Sequence, residues 1–276
     1  MPTFTLNRPP YFLTPAQGRP NSPLFVFLPG MDGTGSLLRT QTNSLERCFD
    51  IRCLALARDD QSNWDDMSDA VLELIDAERD GDRPVYLCGE SFGGCLALKV
   101  ATRAPELFAR LVLVNPASSF RQRPFLSWGA AGTRWMSASI FKASAVLVLP
   151  FLVALERVAS DDRLALVEAM RSVPAETVRW RLSLLERFDL SESALARLKL
   201  PVLLLAGGSD RLLPSVEEAG RLANVLPDAR VVVLPDSGHA CLLETEVRLS
   251  DIMHAHDFLK LQTMQQPGVA DWQVAS

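Results

Sequence analysis

The 276-residue sequence predicts an α/β fold with a doubly wound, mostly parallel sheet. Short continuous apolar runs, such as 24–28 and 85–88, are typical of strands that are covered on both faces. These runs alternate with segments of helical periodicity, which is the pattern of right-handed β–α–β crossovers. With 48% hydrophobic residues, the chain can bury a large core in one domain that carries an inserted subdomain.

Composition limits the classes of partner and compartment. A net charge of −5, without a long basic stretch, argues against nucleic acid as a partner. The odd number of cysteines, most of them inside apolar segments, favours reduced core thiols in the cytoplasm over a disulfide framework. Residues 1–15 contain no basic region followed by an apolar one, so we expect no secretory signal. No apolar run reaches the ~18–20 residues that a membrane span needs.

The first 119 residues are predicted to supply most of the sheet. Residues 1–23 are rich in proline and are expected to cross the surface, with one short edge strand. Asp65 and Asp66 fit the first turn of a helix, where the dipole favours acidic residues. In order, we predict a strand at 24–28, a glycine-rich loop at 29–36, a helix to 48, a strand at 51–57, a helix at 64–80, a strand at 85–88, a helix from 92 to 108 and a strand at 111–114.

The alternation then stops, because between 120 and 197 only helical patterns are found. We therefore predict a helical cap, or lid, at 120–197, inserted before the last two strands of an α/β core that comprises 1–119 and 198–276. The pattern resumes with a strand at 201–206, a helix at 216–225, a strand at 230–234, a helix at 246–260 and a loose tail at 262–276.

The residues Gly-Glu-Ser-Phe-Gly at 89–93 match the G-x-S-x-G nucleophile elbow in a strand–turn–helix context. A catalytic serine needs this sharp turn, because its hydroxyl must project to where a base can reach it. Glycines two positions before and two after Ser91 avoid collisions with the neighbouring backbone. The motif alone is equally compatible with a glycine-rich turn that carries a surface serine.

Two further residues complete a catalytic pattern with Ser91. Asp210 and His239 also follow directly after predicted strands, and ligands of open α/β sheets bind at the carboxyl ends of the strands. The chain order serine, acid, histidine is that of the α/β-hydrolase fold. In this arrangement His239 accepts the proton of Ser91, while Asp210 fixes the tautomer and stabilises the imidazolium.

The acid of the triad has one alternative candidate, and the two remaining histidines lie in a predicted helix instead of a loop at a strand end. Asp236 lies close to His239 in sequence, but we expect it to shape its turn, and placement favours Asp210. Some hydrolases take their acid from the strand that here ends in Asn115, which cannot act as a carboxylate. His254 and His256 lie two apart in a helix and point in different directions, so we predict no metal site.

The oxyanion hole is predicted to combine two backbone N–H groups, those of Phe92 and Met31. Met31 lies in the loop after the first strong strand, directly behind Pro29 and Gly30. This glycine-rich loop lacks the G-x-G-x-x-G spacing of dinucleotide sites, and no G-K-[ST] follows it. We therefore predict no cofactor.

The first half of the cap has an unusual composition. Residues 121–155 contain four basic residues and no acidic residue, interleaved with Phe125, Trp128 and Trp135. This pattern suits an interfacial helix or the wall of a lipid pocket, and it predicts peripheral contact with a membrane surface. Ordinary packing of cap helices onto the core is an equally open alternative. On the first interpretation, these three aromatic residues contact the substrate.

Four motifs together resemble the esterase/lipase/thioesterase family that includes plant and cyanobacterial phytyl ester synthases. The similarity extends from Leu24 to Lys260. By this resemblance, the protein is expected to act on lipophilic esters, with phytol, chlorophyll-derived or galactolipid acyl groups, at photosynthetic membranes. The motifs are 28–35, 89–94, 115–120 and 236–239.

Three functions remain open on the sequence alone. The first is hydrolysis of lipophilic carboxylic esters through an acyl-enzyme, and the second is acyl transfer to an alcohol on the same triad. The third is a non-catalytic module that binds a hydrophobic molecule. Plant members resemble a fusion with an acyltransferase domain that carries H-x-x-x-x-D, and no histidine of this sequence is followed by such an aspartate. We therefore expect hydrolysis.

Overall fold

A computed structural model describes residues 9–17, 22–122 and 146–259. Its centre is a seven-stranded sheet with the strand order β1-β3-β2-β4-β5-β6-β7. The edge strand β1 runs antiparallel to β3, and the other neighbouring pairs are parallel. The strands are β1 (Tyr11–Leu13), β2 (Leu24–Leu28), β3 (Asp50–Ala55), β4 (Val85–Glu90), β5 (Phe108–Val114), β6 (Val202–Gly207) and β7 (Ala229–Leu234).

Helices cover both faces of this sheet, and short 3-10 turns join several of them. None of the described helices has the length and apolar character that crossing a bilayer requires. Residues 146–152 are also helical. The remaining helices are α1 (Arg39–Leu45), α2 (Trp64–Glu78), α3 (Phe92–Arg103), α4 (Ser160–Ser172), α5 (Ala175–Glu186), α6 (Glu192–Leu195), α7 (Ser215–Val225) and α8 (Leu249–Ala255).

The central strands are buried on both faces, which explains their unbroken apolar sequences. All five residues of β2 and all six of β4 are buried. Alternate side chains point to opposite faces, so Val26 packs in one core cluster and Phe27 in another. The first cluster includes α2 and α3 residues, and the second includes residues of α1 and α8. The two-sided coverage predicted from the sequence is confirmed.

The order of the strands places a crevice at one edge of the sheet. The chain moves outward from β2 to β3 and then returns to form β4 on the other side of β2. Parallel sheets bind ligands at such a switch point, beyond the carboxyl ends of the strands. The loops that follow β2 and β4 therefore lie side by side there. Ser91 and Met31 belong to these two loops.

Between β5 and β6 the described residues form helices and short turns, with one isolated β-bridge from Val158 to Glu244. The described residues between these strands, 115–122 and 146–201, are called the β5–β6 segment. Side-chain contacts attach this segment to the rest of the chain. Arg39 forms an ion pair with Asp162 of α4, and the Trp64 indole donates to the Leu184 carbonyl of α5. The division into core and cap at 120 and 197 stays a prediction. Phe125, Trp128 and Trp135 lie outside the described residues.

Two predicted helices have wrong boundaries. Helix α3 ends at Arg103 instead of 108, because Ala104 precedes Pro105 and the residue before a proline disfavours helical dihedrals. Strand β5 consequently begins at Phe108. The last helix covers Leu249–Ala255 instead of 246–260. Its end is marked by Asp257, whose φ of 53° lies in the left-handed region.

Candidate active site

Ser91 lies in the sharp turn between β4 and α3, with φ 54° and ψ −115°. A non-glycine residue in this region is strained, and the strain persists only where the surroundings enforce it. The turn lifts the hydroxyl out of the strand, and the side chain stays partly accessible while Phe92 and Gly93 behind it are buried. The backbone geometry is that expected of the nucleophile elbow.

Glycines flank this turn because no side chain fits there. A Cβ added at Gly89 would lie 2.3 Å from the Gly93 carbonyl oxygen. A Cβ at Gly93 would lie 2.1 Å from the carbonyl oxygen of Leu28, at the end of β2. Both distances are far below van der Waals contact, so the elbow can form at this spacing only with glycine at these two positions.

A continuous hydrogen-bonded relay leads away from Ser91. Its Oγ lies 2.8 Å from Nε2 of His239, and Nδ1 of His239 lies 2.8 Å from Oδ2 of Asp210. The side chains of His239 and Asp210 are 5% and 1% exposed, so the relay is shielded from water behind the serine. The structure therefore brings together the three residues that were predicted from the sequence, which follow the ends of β4, β6 and β7.

The carboxylate of Asp210 is oriented by its own loop. Its Oδ1 accepts the backbone N–H groups of Leu212 and Leu213, at 2.8 and 3.0 Å. Its Oδ2 accepts from the Ser215 hydroxyl as well as from the imidazole. Burial alone would raise the pKa of Asp210, but the charge and hydrogen bond of His239, together with these donors, hold that pKa below its ordinary value. The group is an ionised acceptor at neutral pH.

The pKa of the His239 imidazole is shifted by its neighbours in the same site. Burial works to lower its pKa, but the charge and hydrogen bond of Asp210 and the charge of Glu90 outweigh burial, so the pKa lies above its ordinary value of 6.5. The bond to an ionised Asp210 places the proton of neutral His239 on Nδ1. In that tautomer Nε2 is free to accept the Ser91 proton, as a general base must.

The loop after β2 lies beside the nucleophile. Gly30 is so close that a Cβ added there would be 3.7 Å from the Cβ of Ser91. The Gly33 N–H donates to the Gly30 carbonyl at 3.0 Å and closes a tight turn around Met31. Phe92, the other predicted oxyanion donor, is the first residue of α3, where backbone N–H groups lack partners within the helix.

The rival acid is not part of this arrangement. Asp236 is exposed, and within the described residues no hydrogen bond joins it to His239. His254 lies in α8 and His256 directly after it, and among the described residues no hydrogen bond joins either of them to the relay.

Asn115 is a site residue whose role the sequence did not reveal. It is fully buried at the end of β5, with a φ of 44°. Its amide nitrogen donates to the His239 carbonyl at 2.5 Å, and its amide oxygen accepts the Gly207 N–H at 2.7 Å. Asn115 thereby ties the loop that carries His239 to the end of β6. The sequence does show an asparagine before a proline at a strand end, which could have indicated a structural role. From it we inferred only that Asn115 cannot act as the triad acid.

Glu244 was missed entirely. Its side chain is buried and accepts from the Gly238 N–H and the Ser237 hydroxyl, each at 2.8 Å. Arg157 of the β5–β6 segment neutralises it at 2.7 Å. Glu244 therefore fixes the turn directly before His239. Nothing in the local sequence pattern distinguishes this glutamate from a solvated one.

Glu90, the residue directly before the nucleophile, is an unusual neighbour. It is 9% exposed, and its Oε1 has no hydrogen-bond partner among the described residues. Burial raises the pKa of its carboxyl to about 7, with His239 opposing that rise and Asp32 adding to it. In the sequence, this position is only the variable residue of the G-x-S-x-G motif.

The sequence of the chain is similar to one protein family and to several named proteins. Residues 56–246 match the profile of the family Hydrolase_4, described as serine aminopeptidase, S33. Over 272 residues, 89% of this chain, it is 33% identical to phytyl ester synthase 1, a chloroplastic protein of Arabidopsis thaliana. It spans only 39% of the length of that relative and 38% of phytyl ester synthase 2. It is also 34% identical, over 64% of this chain and 72% of the relative, to the pimeloyl-(acyl-carrier protein) methyl ester esterase of Aromatoleum aromaticum.

The fold of the chain is also found in solved structures. The esterase EaEST from Exiguobacterium antarcticum superposes with a TM-score of 0.73 at 17% identity, and the match covers 90% of this chain and 94% of that one. At this level of identity the likeness concerns the fold, which is the α/β-hydrolase fold. A non-catalytic binding module is set aside, because the relatives are enzymes. The chain belongs to the Hydrolase_4 (serine aminopeptidase, S33) family and is an α/β-hydrolase enzyme of the serine hydrolase class.

Proposed function

We propose that the protein hydrolyses carboxylic esters through an acyl-enzyme on Ser91, with His239 as the general base and Asp210 as its orienting acid. The observation that carries this proposal is the relay of two 2.8 Å contacts that starts at a strained, partly accessible serine. Serine, imidazole and buried carboxylate in this geometry activate an otherwise weak nucleophile.

The reaction proceeds in two halves. Ser91 Oγ attacks the ester carbonyl carbon while His239 Nε2 takes its proton, and the resulting oxyanion is held by the N–H groups of Phe92 and Met31. The imidazolium then protonates the leaving alcohol, which departs and leaves an acyl-serine. A water molecule next loses its proton to His239 and attacks the acyl carbon. Return of the proton to Ser91 Oγ releases the carboxylic acid and restores the enzyme.

We further propose that the substrate is lipophilic. The helical stretch 146–152 lies next to the His239 loop, because the Ala240 N–H donates to the Leu152 carbonyl at 2.8 Å. Leu147 and Phe151 of this stretch are 74% and 52% exposed. The names of the phytyl ester synthases point in the same direction, since phytyl is a long apolar group. In this proposal residues 120–197 form the cap of a core made of 1–119 and 198–276, and this cap contacts lipid surfaces peripherally.

Acyl transfer is the second candidate. It is favoured by the 33% identity to phytyl ester synthase 1, whose name describes ester formation. In this case an alcohol such as phytol takes the place of water and attacks the acyl-serine, and His239 accepts the proton of the alcohol in the same way. The two reactions share every step up to the acyl-enzyme, so the geometry of the triad favours neither of them.

Product analysis separates these candidates. Purified protein would be incubated with phytyl esters, galactolipids and short-chain nitrophenyl esters, with and without added phytol. Free fatty acid as the product in both conditions supports hydrolysis, whereas a new phytyl ester that forms only with phytol supports transfer.

The nucleophile is tested separately. Ser91→Ala should abolish both turnover and labelling by a fluorophosphonate, because the reagent reacts with the activated serine. Labelling that survives this substitution would overturn the assignment of Ser91.

A further inference from the structure

Arg181 is a fully buried cation that has no role in the mechanism proposed above. It lies in α5, within the β5–β6 segment, and is 1% exposed. Its Nη1 donates to the carbonyl oxygen of Met31 at 2.6 Å. Burial lowers the pKa of its guanidinium, while the charges of Asp60 and Asp32 act against that shift. Burying a charge is unfavourable without such partners, so the position calls for a reason.

The contact is made possible by a glycine. Gly33 has a φ of 67°, and a Cβ added there would lie 2.7 Å from Nη1 of Arg181. The guanidinium therefore fills the space that a side chain at 33 would occupy. It also lies 3.5 Å from the Ala57 carbonyl oxygen through Nη2. The Arg181 side chain thus reaches from α5 to the turn at 30–33.

This turn carries the predicted oxyanion donor, the N–H of Met31. That N–H belongs to the peptide between Gly30 and Met31, and a glycine on one side leaves the peptide free to rotate. On that side, the Gly33 N–H holds the Gly30 carbonyl at 3.0 Å. On the other side, the Arg181 guanidinium holds the Met31 carbonyl. The first hydrogen bond holds the Gly30–Met31 peptide itself, and the second holds the next peptide, between Met31 and Asp32. Together they fix the backbone dihedrals of Met31 and hence the direction of its N–H.

We infer that Arg181 is a positioning residue for the oxyanion hole, which it completes from α5 by fixing the Met31 backbone so that its N–H faces the tetrahedral intermediate. This inference rests on the proposed function, because it needs Met31 as an oxyanion donor. It makes the chemistry of the core dependent on a helix of the β5–β6 segment. Oxyanion donors act through preorganised geometry, so a residue that only holds a donor still affects the rate.

Docking of α5 does not depend on Arg181 alone. The Trp180 indole donates to the Ser62 carbonyl at 2.9 Å, and the Trp64 indole donates to the Leu184 carbonyl at 3.1 Å. Leu184 and Leu185 add to the buried cluster beneath the helix. A variant that lacks the guanidinium therefore keeps other anchors of α5, which allows positioning to be separated from docking.

Arg58, which is exposed, offers a control for the loss of a guanidinium contact across this boundary. Its guanidinium also donates to a backbone carbonyl across the same boundary, from Nε to Ser172 O at 2.6 Å, but it contacts α4 and not the turn at 30–33. The experiment compares Arg181→Met, Arg181→Lys and Arg58→Met in the full chain. The readouts are kcat and KM for a short-chain nitrophenyl ester, and Ki for a trifluoromethyl ketone, which adds to serine and forms an oxyanion.

For Arg181→Met we expect kcat to fall about 10- to 100-fold with KM within about twofold, since complete loss of one oxyanion donor costs about 10²–10³ in kcat. The ketone Ki should rise by the same factor as kcat/KM falls. Arg181→Lys should give a smaller loss of the same kind, and Arg58→Met should leave all three quantities within about twofold.

Three outcomes would overturn the inference: an unchanged kcat and Ki in Arg181→Met, a rise in KM alone, or equal losses in Arg58→Met. If Arg181→Met does not fold by circular dichroism, Arg181→Lys decides, and wild-type kcat and Ki in that variant refute the role. Failure of the proposed function is distinguishable, because wild-type turnover or ketone inhibition would then survive Ser91→Ala.

Discussion

Two carboxylates lie near His239. Asp210 contacts its imidazole in the fold, whereas Asp236 is near it only in the sequence. Both oxygens of Asp210 are occupied by donors from its own loop and by the imidazole, and its side chain is 1% exposed. Asp236 is exposed to solvent. A buried, ionised acceptor holds one tautomer of the histidine, whereas an exposed charge is screened by water. The two residues should therefore differ sharply when neutralised.

Asp210→Asn should lower kcat for a short-chain nitrophenyl ester by about 10⁴, the loss seen when a triad carboxylate becomes an amide and the tautomer is no longer held. Asp236→Asn serves as the control, and its kcat should stay within about twofold of wild type. Steady-state kinetics with both purified variants measures the contrast. The reverse ranking would transfer the role to Asp236.

The pH dependence is set by His239 and by Glu90. A protonated imidazole cannot accept the Ser91 proton, so kcat/KM should fall as the pH drops through the pKa of His239, which lies above the ordinary 6.5. Glu90→Gln removes a negative charge that raises this pKa. The acid limb of the variant should therefore move to lower pH.

This shift has an internal control in Asp236→Asn, which removes an equal but exposed charge three residues from His239 and should leave the acid limb in place. Because Glu90 and His239 interact, the measured midpoints belong to the pair of groups and not to either residue. An acid limb that does not move in Glu90→Gln would show that its charge is not felt at the imidazole.

At the scale of elements, what could be predicted depended on whether the determining contact was local. The continuous apolar runs gave the strands, and their ends placed Ser91, Asp210 and His239 at one edge of the sheet. The start of α8 was not predictable, because it is set by Gln41 of α1. That buried amide donates to the Val247 carbonyl at 2.8 Å and accepts the Leu249 N–H at 2.9 Å. No pattern within 246–260 carries this information.

The elbow imposes a packing requirement that a substitution can measure. Gly93→Ala would place a Cβ 2.1 Å from the Leu28 carbonyl and 2.4 Å from the Pro29 carbonyl, which are backbone atoms that cannot swing away. We expect the free energy of unfolding to fall by about 2 kcal/mol or more, as for other overpacked sites. The loss should also lower turnover, since Pro29 leads into the oxyanion loop.

Gly220→Ala is the matched control, because it makes the same substitution inside α7, where no described atom beyond the adjoining residues and backbone of the helix itself lies within 4 Å of the new Cβ. Here the unfolding free energy should rise by about 0.5–1 kcal/mol, since alanine forms helix better than glycine. Urea unfolding of both variants tests the pair. Equal effects of the two substitutions would contradict the steric account of the elbow.

At the scale of the whole molecule, the site is assembled from distant parts of the chain. Five strands, β2 and β4 to β7, contribute their ends, and this common edge is what made the triad predictable. Arg181 enters from α5, 150 positions after the Met31 carbonyl that it contacts. Helical periodicity predicts a buried face but not which loop that face covers, and an arginine on such a face would ordinarily be assigned to solvent. Contacts of this kind require the structure.

The exposed apolar side chains are distributed unevenly over the molecule. Among the described residues, several of the exposed large apolar side chains belong to the β5–β6 segment, including Leu147 and Phe151 beside the His239 loop. Val231 and Val233 are also exposed, at 39% and 42%, but they lie on the edge strand β7. The two pairs are therefore similar in chemistry and different in position. This difference allows a test of the lipophilic substrate.

The double substitution Leu147→Gln and Phe151→Gln should weaken binding to phospholipid vesicles and lower turnover of long-chain esters, but leave short-chain nitrophenyl ester hydrolysis within about twofold. Each buried methylene of an acyl chain contributes about 0.8 kcal/mol, so the loss should grow with chain length. Val231→Thr with Val233→Thr is the control and should change neither quantity. Vesicle co-sedimentation and a chain-length series measure both. If long-chain and short-chain rates fall together while the protein stays folded, the apolar stretch does not contact the substrate.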